Sequence, residues 1–132
     1  MSGRAGLLAE AKAMAANAYA PYSGLRVGAV VVDQDGVHYA GANVENAAFP
    51  SALCAEATAI GTAVSAGARS LVMVAVICLD LPGIQPCGQC RQRLSEFGVE
   101  QVITEGDGGE PVVHTLDELL PHRFGPWKPE AT

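Results

Sequence analysis

From Gly6 to Tyr19 the apolar residues Leu7, Leu8, Ala11, Met14, Ala15 and Ala18 recur at helical spacing, which predicts an amphipathic helix. Pro21 predicts its end, because the residue before a proline is pushed out of helical conformation. The period then changes. Residues 25–32 and 37–42 are apolar, β-branched runs on either side of Asp33-Gln34-Asp35-Gly36, and Asp-Gly between two such runs predicts an antiparallel hairpin.

Residues 43–50 have no clear period and read as a loop. Ser51 is suited to cap a helix running through Cys54 to about residue 66, with Gly67 as its stop. Residues 71–79 are almost continuously apolar, as in a central strand buried on both faces. A further helix is predicted from Cys87-Gly88 to Phe97, stopped by Gly98. Two short strands, 99–104 and 112–115, flank the turn-rich Gly106-Asp107-Gly108-Gly109, and Thr115-Leu-Asp-Glu118 forms a capping box for a last short helix. This order predicts an α/β fold, a three-layer α-β-α sandwich around one five-stranded mixed sheet whose first two strands are an antiparallel hairpin. Residues 1–126 read as a single domain and 127–132 as a C-terminal tail.

Composition changes the picture in two ways. Of 132 residues, 49% are apolar and only 17% charged, against about 25% charged in ordinary domains. An alanine-rich chain gives the same figure, but a surface so poor in charge also suggests burial against further copies. The net charge of −6, with no basic run, argues against a polymeric nucleic-acid partner. No apolar stretch is long enough to span a membrane, and residues 1–20 do not resemble a signal peptide. A cytoplasmic protein is therefore expected. Thiols stay reduced there, so the four cysteines read as ligands or core residues.

Cys87-Gly-Gln-Cys90 is a CxxC preceded by Pro86, a spacing shared by redox pairs and by half of a metal site. A thioredoxin-like pair should follow the first central strand, whereas this one comes late. A third thiol, Cys54, stands at another helix start. Helix N-termini favour the thiolates that zinc needs. Three thiolates would leave one of zinc's four positions for water, as in a catalytic site. Cys78 lies within the apolar strand and reads as core. His38, His114 and His122 are remote from both thiol clusters in sequence and read as surface or cap residues.

Glu56 follows Cys54 by two residues. In mid-helix such positions point apart, but in a first turn both can lean over the open end. An acid there also complements the helix dipole. Beside a ligand, its stronger reading is proton transfer. Zinc lowers the pKa of bound water to about 7, and a nearby carboxylate can take that proton and return it to a substrate nitrogen.

Together, Pro21-Tyr-Ser, Val27-Gly-Ala, Asn43-Val-Glu-Asn-Ala47, Cys54-Ala-Glu56, Pro86-Cys-Gly-Gln-Cys-Arg-Gln92, Leu119-Leu-Pro and Phe124 resemble the cytidine deaminase family in its small homotetrameric, three-cysteine form. The resemblance implies one Zn²⁺ per subunit on Cys54, Cys87 and Cys90. It implies hydrolytic deamination of cytidine or deoxycytidine to the uridine and ammonia, a step of pyrimidine salvage. Glu56 would protonate N3 of the base and carry a second proton to the leaving amino group. Asn43 and Glu45 would hydrogen-bond the ribose 3′-hydroxyl. The backbone N–H groups of Ala55 and Cys87 would face the base oxygen and the attacking hydroxide. Phe124 would reach across from a neighbouring subunit to cover the base, in a homotetramer with shared sites.

Three positions depart from the family pattern. Ala57 stands where many relatives carry an arginine that offsets the thiolate charge through hydrogen bonds to sulfur. The helix dipoles and Arg91 are expected to take over that role, leaving a zinc-bound water of raised pKa. Leu25 replaces a phenylalanine against the base. Phe49 replaces a tyrosine near the 5′-hydroxyl, which removes one hydrogen bond.

Rival readings remain. Deaminases of other cytosine nucleosides, such as blasticidin S, alter the Asn-x-Glu motif that is intact here. Free-base, nucleotide and tRNA deaminases usually place histidine at the first ligand position. A non-catalytic zinc module predicts four closed ligands, and a thiol oxidoreductase would have to work with Cys54 removed.

Overall fold

A computed structural model describes residues 3–125; residues 1, 2 and 126–132, and with them the expected tail, lie outside the described residues. Strands β1 (Val27–Asp33) and β2 (His38–Ala42) form the predicted hairpin, with Val30 opposite Ala40. Asp33 builds its turn. Its Oδ1 accepts the N–H groups of Asp35 and Val37, each at 2.9 Å, and Gly36 takes a φ of +82° that a side chain would resist.

β3 (Leu71–Cys78) lies antiparallel to β1 on its other side and parallel to β4 (Gln101–Glu105), and β5 (Pro111–Thr115) closes the sheet in the order β2-β1-β3-β4-β5. Parallel neighbours need a crossover. Here it is helix α3 (Gly88–Glu96), while α2 (Ala55–Ser65) joins β2 to β3.

Alternation along β1 assigns the layers. Ala29 and Val31 point into a core with Ala59, Ile60 and Ala63 of α2, Leu94 of α3 and Leu116 of α4 (Leu116–Leu119). Val30 and Val32 point the other way, against Leu7, Leu8 and Ala11 of α1 (Gly3–Ala15). The fold is thus the expected three-layer sandwich on a five-stranded mixed sheet. Cover on both faces accounts for the unbroken apolar runs in β1 and β3. Two glycines let helices settle backbone against backbone. A Cβ at Gly28 would lie 1.9 Å from the Ala11 carbonyl oxygen, and one at Gly41 would lie 2.4 Å from the Ala59 nitrogen.

Among the boundaries that differ from expectation, two have a clear physical cause. α1 ends at Ala15 rather than near Tyr19. The N–H groups of Asn17 and Ala18 tighten onto the carbonyls of Met14 and Ala15, and Tyr19 leaves the helix to exchange backbone bonds with Asn43 and Glu45. α2 is capped by Cys54, not Ser51, because Phe49–Ser51 forms its own 3₁₀ turn. The capping box of Thr115 and Glu118 is present, as are the stops at Gly67 (φ +103°) and Gly98 (φ +81°).

Candidate metal centre and substrate cleft

Two helices deliver the thiols. Cys54 is the N-cap of α2 and Cys87 the N-cap of α3, both with extended backbone, and neither side chain caps its own helix. A serine or aspartate there would turn back onto the first N–H groups. The Cys54 and Cys87 sulfurs instead approach each other across the two helix starts. Cys90, in the first turn of α3, lies buried behind them.

The Sγ atoms of all three cysteines fall within 4.8 Å of one another, and those of Cys54 and Cys87 are 3.8 Å apart. Tetrahedral geometry with Zn–S bonds of about 2.3 Å places sulfurs about 3.8 Å apart. The donor set therefore fits a zinc ion by chemistry and by spacing. Among the described residues no fourth His, Cys, Asp or Glu joins the cluster. Cys78 is buried in β3, and His38 pairs with Glu10.

The electrostatics of the cluster point the same way. Hydrogen bonding from Cys90 draws the Cys54 thiol down to about 5 against the opposing effect of burial, with Cys87 and Arg93 adding to the pull. The same Cys54–Cys90 interaction, reinforced by burial and by the charge of Glu56, pushes the Cys90 thiol upward. Three thiols this close cannot all ionise unaided. A divalent cation among them removes the conflict.

Glu56 sits in the first turn of α2 and is only 4% exposed. Burial is the main cause that raises its carboxyl to about 7, and negative charge on Cys54 adds to it. A carboxyl poised there is matched to proton transfer near neutral pH.

A cleft of about 270 Å³ opens beside these groups, lined by Leu25, Asn43, Glu45, Cys54, Ala55, Glu56 and Cys87 together with Ser23, Val27, Ala52, Leu53, Ile84 and Gln85. Leu25, Asn43, Glu45 and Ala55, four of the residues expected to meet base and ribose, thus line one cleft. Asn43 is held rigidly. Its Oδ1 accepts the Val27 N–H at 2.8 Å, and its Nδ2 donates to the Leu25 carbonyl at 2.9 Å. The Glu45 carboxylate accepts the N–H groups of Tyr22 and Ser23 and, at 2.5 Å, the Ser23 hydroxyl. That Ser23 hydroxyl is the first cause of a carboxyl held below its usual range. Val44, between them, exchanges both backbone bonds with Leu53, so the chain leading into Cys54 is tied to the chain carrying the two polar residues.

Two expected residues stand apart. Phe49 lines an adjoining hollow with Tyr22, Asn46 and Ala52, its ring edge-on to Tyr22 at 5.6 Å. Phe124, 77% exposed, does not line the cleft of its own chain. Its carbonyl accepts a hydrogen bond from Gln92.

Arg91 corrects the expectation placed on it. Its Nε donates to the Pro86 carbonyl at 2.9 Å and its Nη1 to the Leu119 carbonyl at 2.8 Å, pinning the turn before Cys87 onto the end of α4. The guanidinium that reaches sulfur belongs to Arg93, whose Nη1 lies 3.4 Å from Cys90 Sγ. Its signal in the sequence was its place three residues after Cys90, on the same helix face.

Residues 1–105 match the profile described as the cytidine and deoxycytidylate deaminase zinc-binding region. A cytidine deaminase of Sporosarcina psychrophila is 41% identical over 120 residues, 89% of this chain and 88% of that protein. One from Mycobacterium tuberculosis is 40% identical over 114 residues, covering 84% and 81%. The crystal structure of a Burkholderia pseudomallei cytidine deaminase superposes with a TM-score of 0.85 at 39% identity, covering 94% of this chain and all of that one.

Proposed function

The chain belongs to the cytidine and deoxycytidylate deaminase family, and from that premise we propose that it deaminates cytidine, deoxycytidine or both by zinc-dependent hydrolysis. The observation that carries this reading is the convergence of three sulfurs from two helix N-termini beside the buried carboxyl of Glu56. One zinc ion per subunit, held by Cys54, Cys87 and Cys90, would supply a water acidic enough to attack at neutral pH.

The chain's own residues do the rest. Glu56 accepts the proton of the attacking water and delivers it to N3 of the cytosine ring, which makes C4 electrophilic. It then takes the remaining proton from the oxygen now bonded to C4 and passes it to the amino group, which leaves as ammonia as the C4 carbonyl forms. Its burial keeps these protons from leaking to solvent. The N–H of Ala55, at the first position of α2, has no intrahelical acceptor and is free for the base oxygen, and that of Cys87 faces the attacking oxygen.

Asn43 and Glu45 orient the sugar. Asn43 has one amide proton left after bonding Leu25, and Glu45 has lone pairs left after its three bonds. One donates and the other accepts, which is what a ribose 3′-hydroxyl requires. Leu25 gives the base an apolar platform, and Phe49 leaves the 5′ side without a tyrosine hydroxyl.

The catalytic unit spans residues 1–126. Phe124 covers the base of a neighbouring subunit in a homotetramer, which places it outside its own cleft. The setting is cytoplasmic pyrimidine salvage. Among the described residues no helix is long and apolar enough to cross a membrane.

The test is ammonia release from cytidine, deoxycytidine and free cytosine by zinc-loaded protein. Turnover of the nucleosides but not the free base is expected. No turnover of any cytosine compound would overturn the reading.

A further inference from the structure

The arginines of this protein are mostly spent on oxygen. Arg26 pairs with Asp80 and Arg123 with Asp117. Arg91 and Arg69 donate to backbone carbonyls. Arg93 differs. It is half-buried, and among the described residues it forms no ion pair with a carboxylate. Its hydrogen-bond partner is a sulfur, Cys90 Sγ.

A basic residue in the last turn of a helix commonly complements the dipole at that end. Arg93 holds that position in α3. Its side chain runs the other way, back along the helix toward the N-terminus, as long helical side chains tend to do. It ends at the sulfurs: burial opposes its charge, and the hydrogen bond to Cys90, with Cys54 and Cys87 beside it, more than offsets that opposition.

Charge counting shows what the site needs. Three thiolates around one divalent zinc leave a net charge of −1 in a partly buried site, and Glu56 adds a further negative charge when ionised. On α2, the residue after Glu56 is Ala57, which has neither charge nor donor to offer. On α3, a guanidinium arrives from one turn beyond Cys90.

We propose that Arg93 is the positioning residue of the metal centre, donating to Cys90 Sγ from α3 and supplying the compensating charge that Ala57 cannot supply from α2. Its hydrogen bond withdraws electron density from the thiolate and fixes the orientation of Cys90. Partners that orient a metal ligand in this way are typically worth about 10–100-fold in metal affinity. The proposal rests on the reading of the three cysteines as zinc ligands, and the experiment separates the two.

Zinc content and affinity of wild type and R93Q are measured by metal analysis and chelator competition. Glutamine keeps helix propensity and much of the stem, and the position is half-buried, so the fold is expected to persist. Wild type is expected to hold one zinc per chain, and R93Q to bind it about 10–100-fold more weakly. Cobalt-loaded R93Q is expected to show its sulfur-to-metal charge-transfer band at longer wavelength, because a thiolate that loses a hydrogen bond gives up electrons more readily. A merely structural role would leave that band in place.

A wild-type measurement needs no variant: in the ¹¹³Cd-loaded protein, the Arg93 Nη protons exchange slowly and couple to the metal through sulfur. Equal zinc affinity and an unshifted cobalt band in R93Q would overturn the proposal while leaving the zinc site standing. Freely exchanging Arg93 protons in the loaded wild type would do the same. A wild type that binds no zinc would overturn both.

Discussion

Gly41 of β2 packs against the first turn of α2, between Ala59 and Ala55, the residue between Cys54 and Glu56: a Cβ at position 41 would come within 2.9 Å of the Ala55 carbonyl oxygen. It would also meet Thr58 C at 2.8 Å and Ala59 N at 2.4 Å, all backbone atoms that no side-chain rotation can move aside. The missing side chain on the sheet therefore sets the height at which the first turn of α2 rides. Gly41→Ala is expected to cost roughly 1–3 kcal/mol through overpacking and to weaken zinc binding as Cys54 moves. Gly61→Ala on the same protein has open space around the new methyl and should instead stabilise by up to about 1 kcal/mol through helix propensity. Chemical denaturation of the two variants measures both signs. Equal effects would show that the close approach at Gly41 carries no weight.

Glu56→Gln should keep zinc and fold while lowering kcat by a factor of at least about 10²–10⁴, the usual worth of a positioned acid–base group. Metal analysis and steady-state kinetics on one preparation check both halves. A variant that loses its zinc would mark Glu56 as structural.

The pH dependence of stability should carry the signature of Asp80. Its carboxylate accepts the Arg26 backbone N–H at 2.8 Å, Nε at 3.0 Å and Nη2 at 2.8 Å. The Arg26 side-chain hydrogen bonds lead in holding the carboxyl at about 2, below the ordinary 3.8. A depressed folded-state pKa stabilises above the ordinary value and stops doing so as pH falls through the depressed one. The Tm of wild type should therefore exceed that of Asp80→Asn near neutral pH, and the two should converge between about pH 4 and pH 2. A constant gap across that window would count against the ion pair.

Zinc removal should loosen α2 from α3, because the three sulfurs are drawn from both helices. Binding to the folded state alone, at a free zinc concentration about 1,000 times Kd, contributes about 4 kcal/mol. Treatment with a strong chelator should then lower Tm by roughly 10–20 °C. Calorimetry with and without the chelator tests this, and an unchanged Tm would deny the metal any hold on the fold.

Phe124→Ala should raise KM more than it lowers kcat. Sedimentation should give a particle of four times the 13.6 kDa chain mass. Mixing Phe124→Ala subunits with Glu56→Gln subunits should regenerate sites of low KM, since each mixed interface can combine an intact Glu56 with an intact Phe124. No recovery on mixing would confine Phe124 to its own subunit.

Much of this architecture was legible because local chemistry and tertiary context agreed. Asp35-Gly36 marks the hairpin turn, Gly67 and Gly98 mark helix ends through positive φ, and Thr115 with Glu118 closes its own cap. The thiols were legible through their spacing. Three features were not. Tyr19 leaves the helical period because partners 24 and 26 residues away, at Asn43 and Glu45, offer it backbone bonds. Ser51 has the chemistry of a cap, but Pro50 draws it into a 3₁₀ turn. Arg91 and Arg93 are both basic and both near the CxxC. A helix turns about 100° per residue, so two residues apart on α3 they face different surroundings: one reaches carbonyls, the other sulfur.

Asn43 and Glu45 each carry a structural duty beside the sugar contact proposed for them. Asn43 latches the start of β1 through Val27 and Leu25, and Glu45 clasps the turn at Tyr22 and Ser23. A substitution aimed at the sugar would therefore unfasten the wall that presents it. Adaptation to a new nucleoside is channelled away from this pair, toward neighbours such as Leu25 and Phe49 whose side chains no hydrogen bond restrains. An engineer seeking altered substrates should randomise the grease and leave the latches alone.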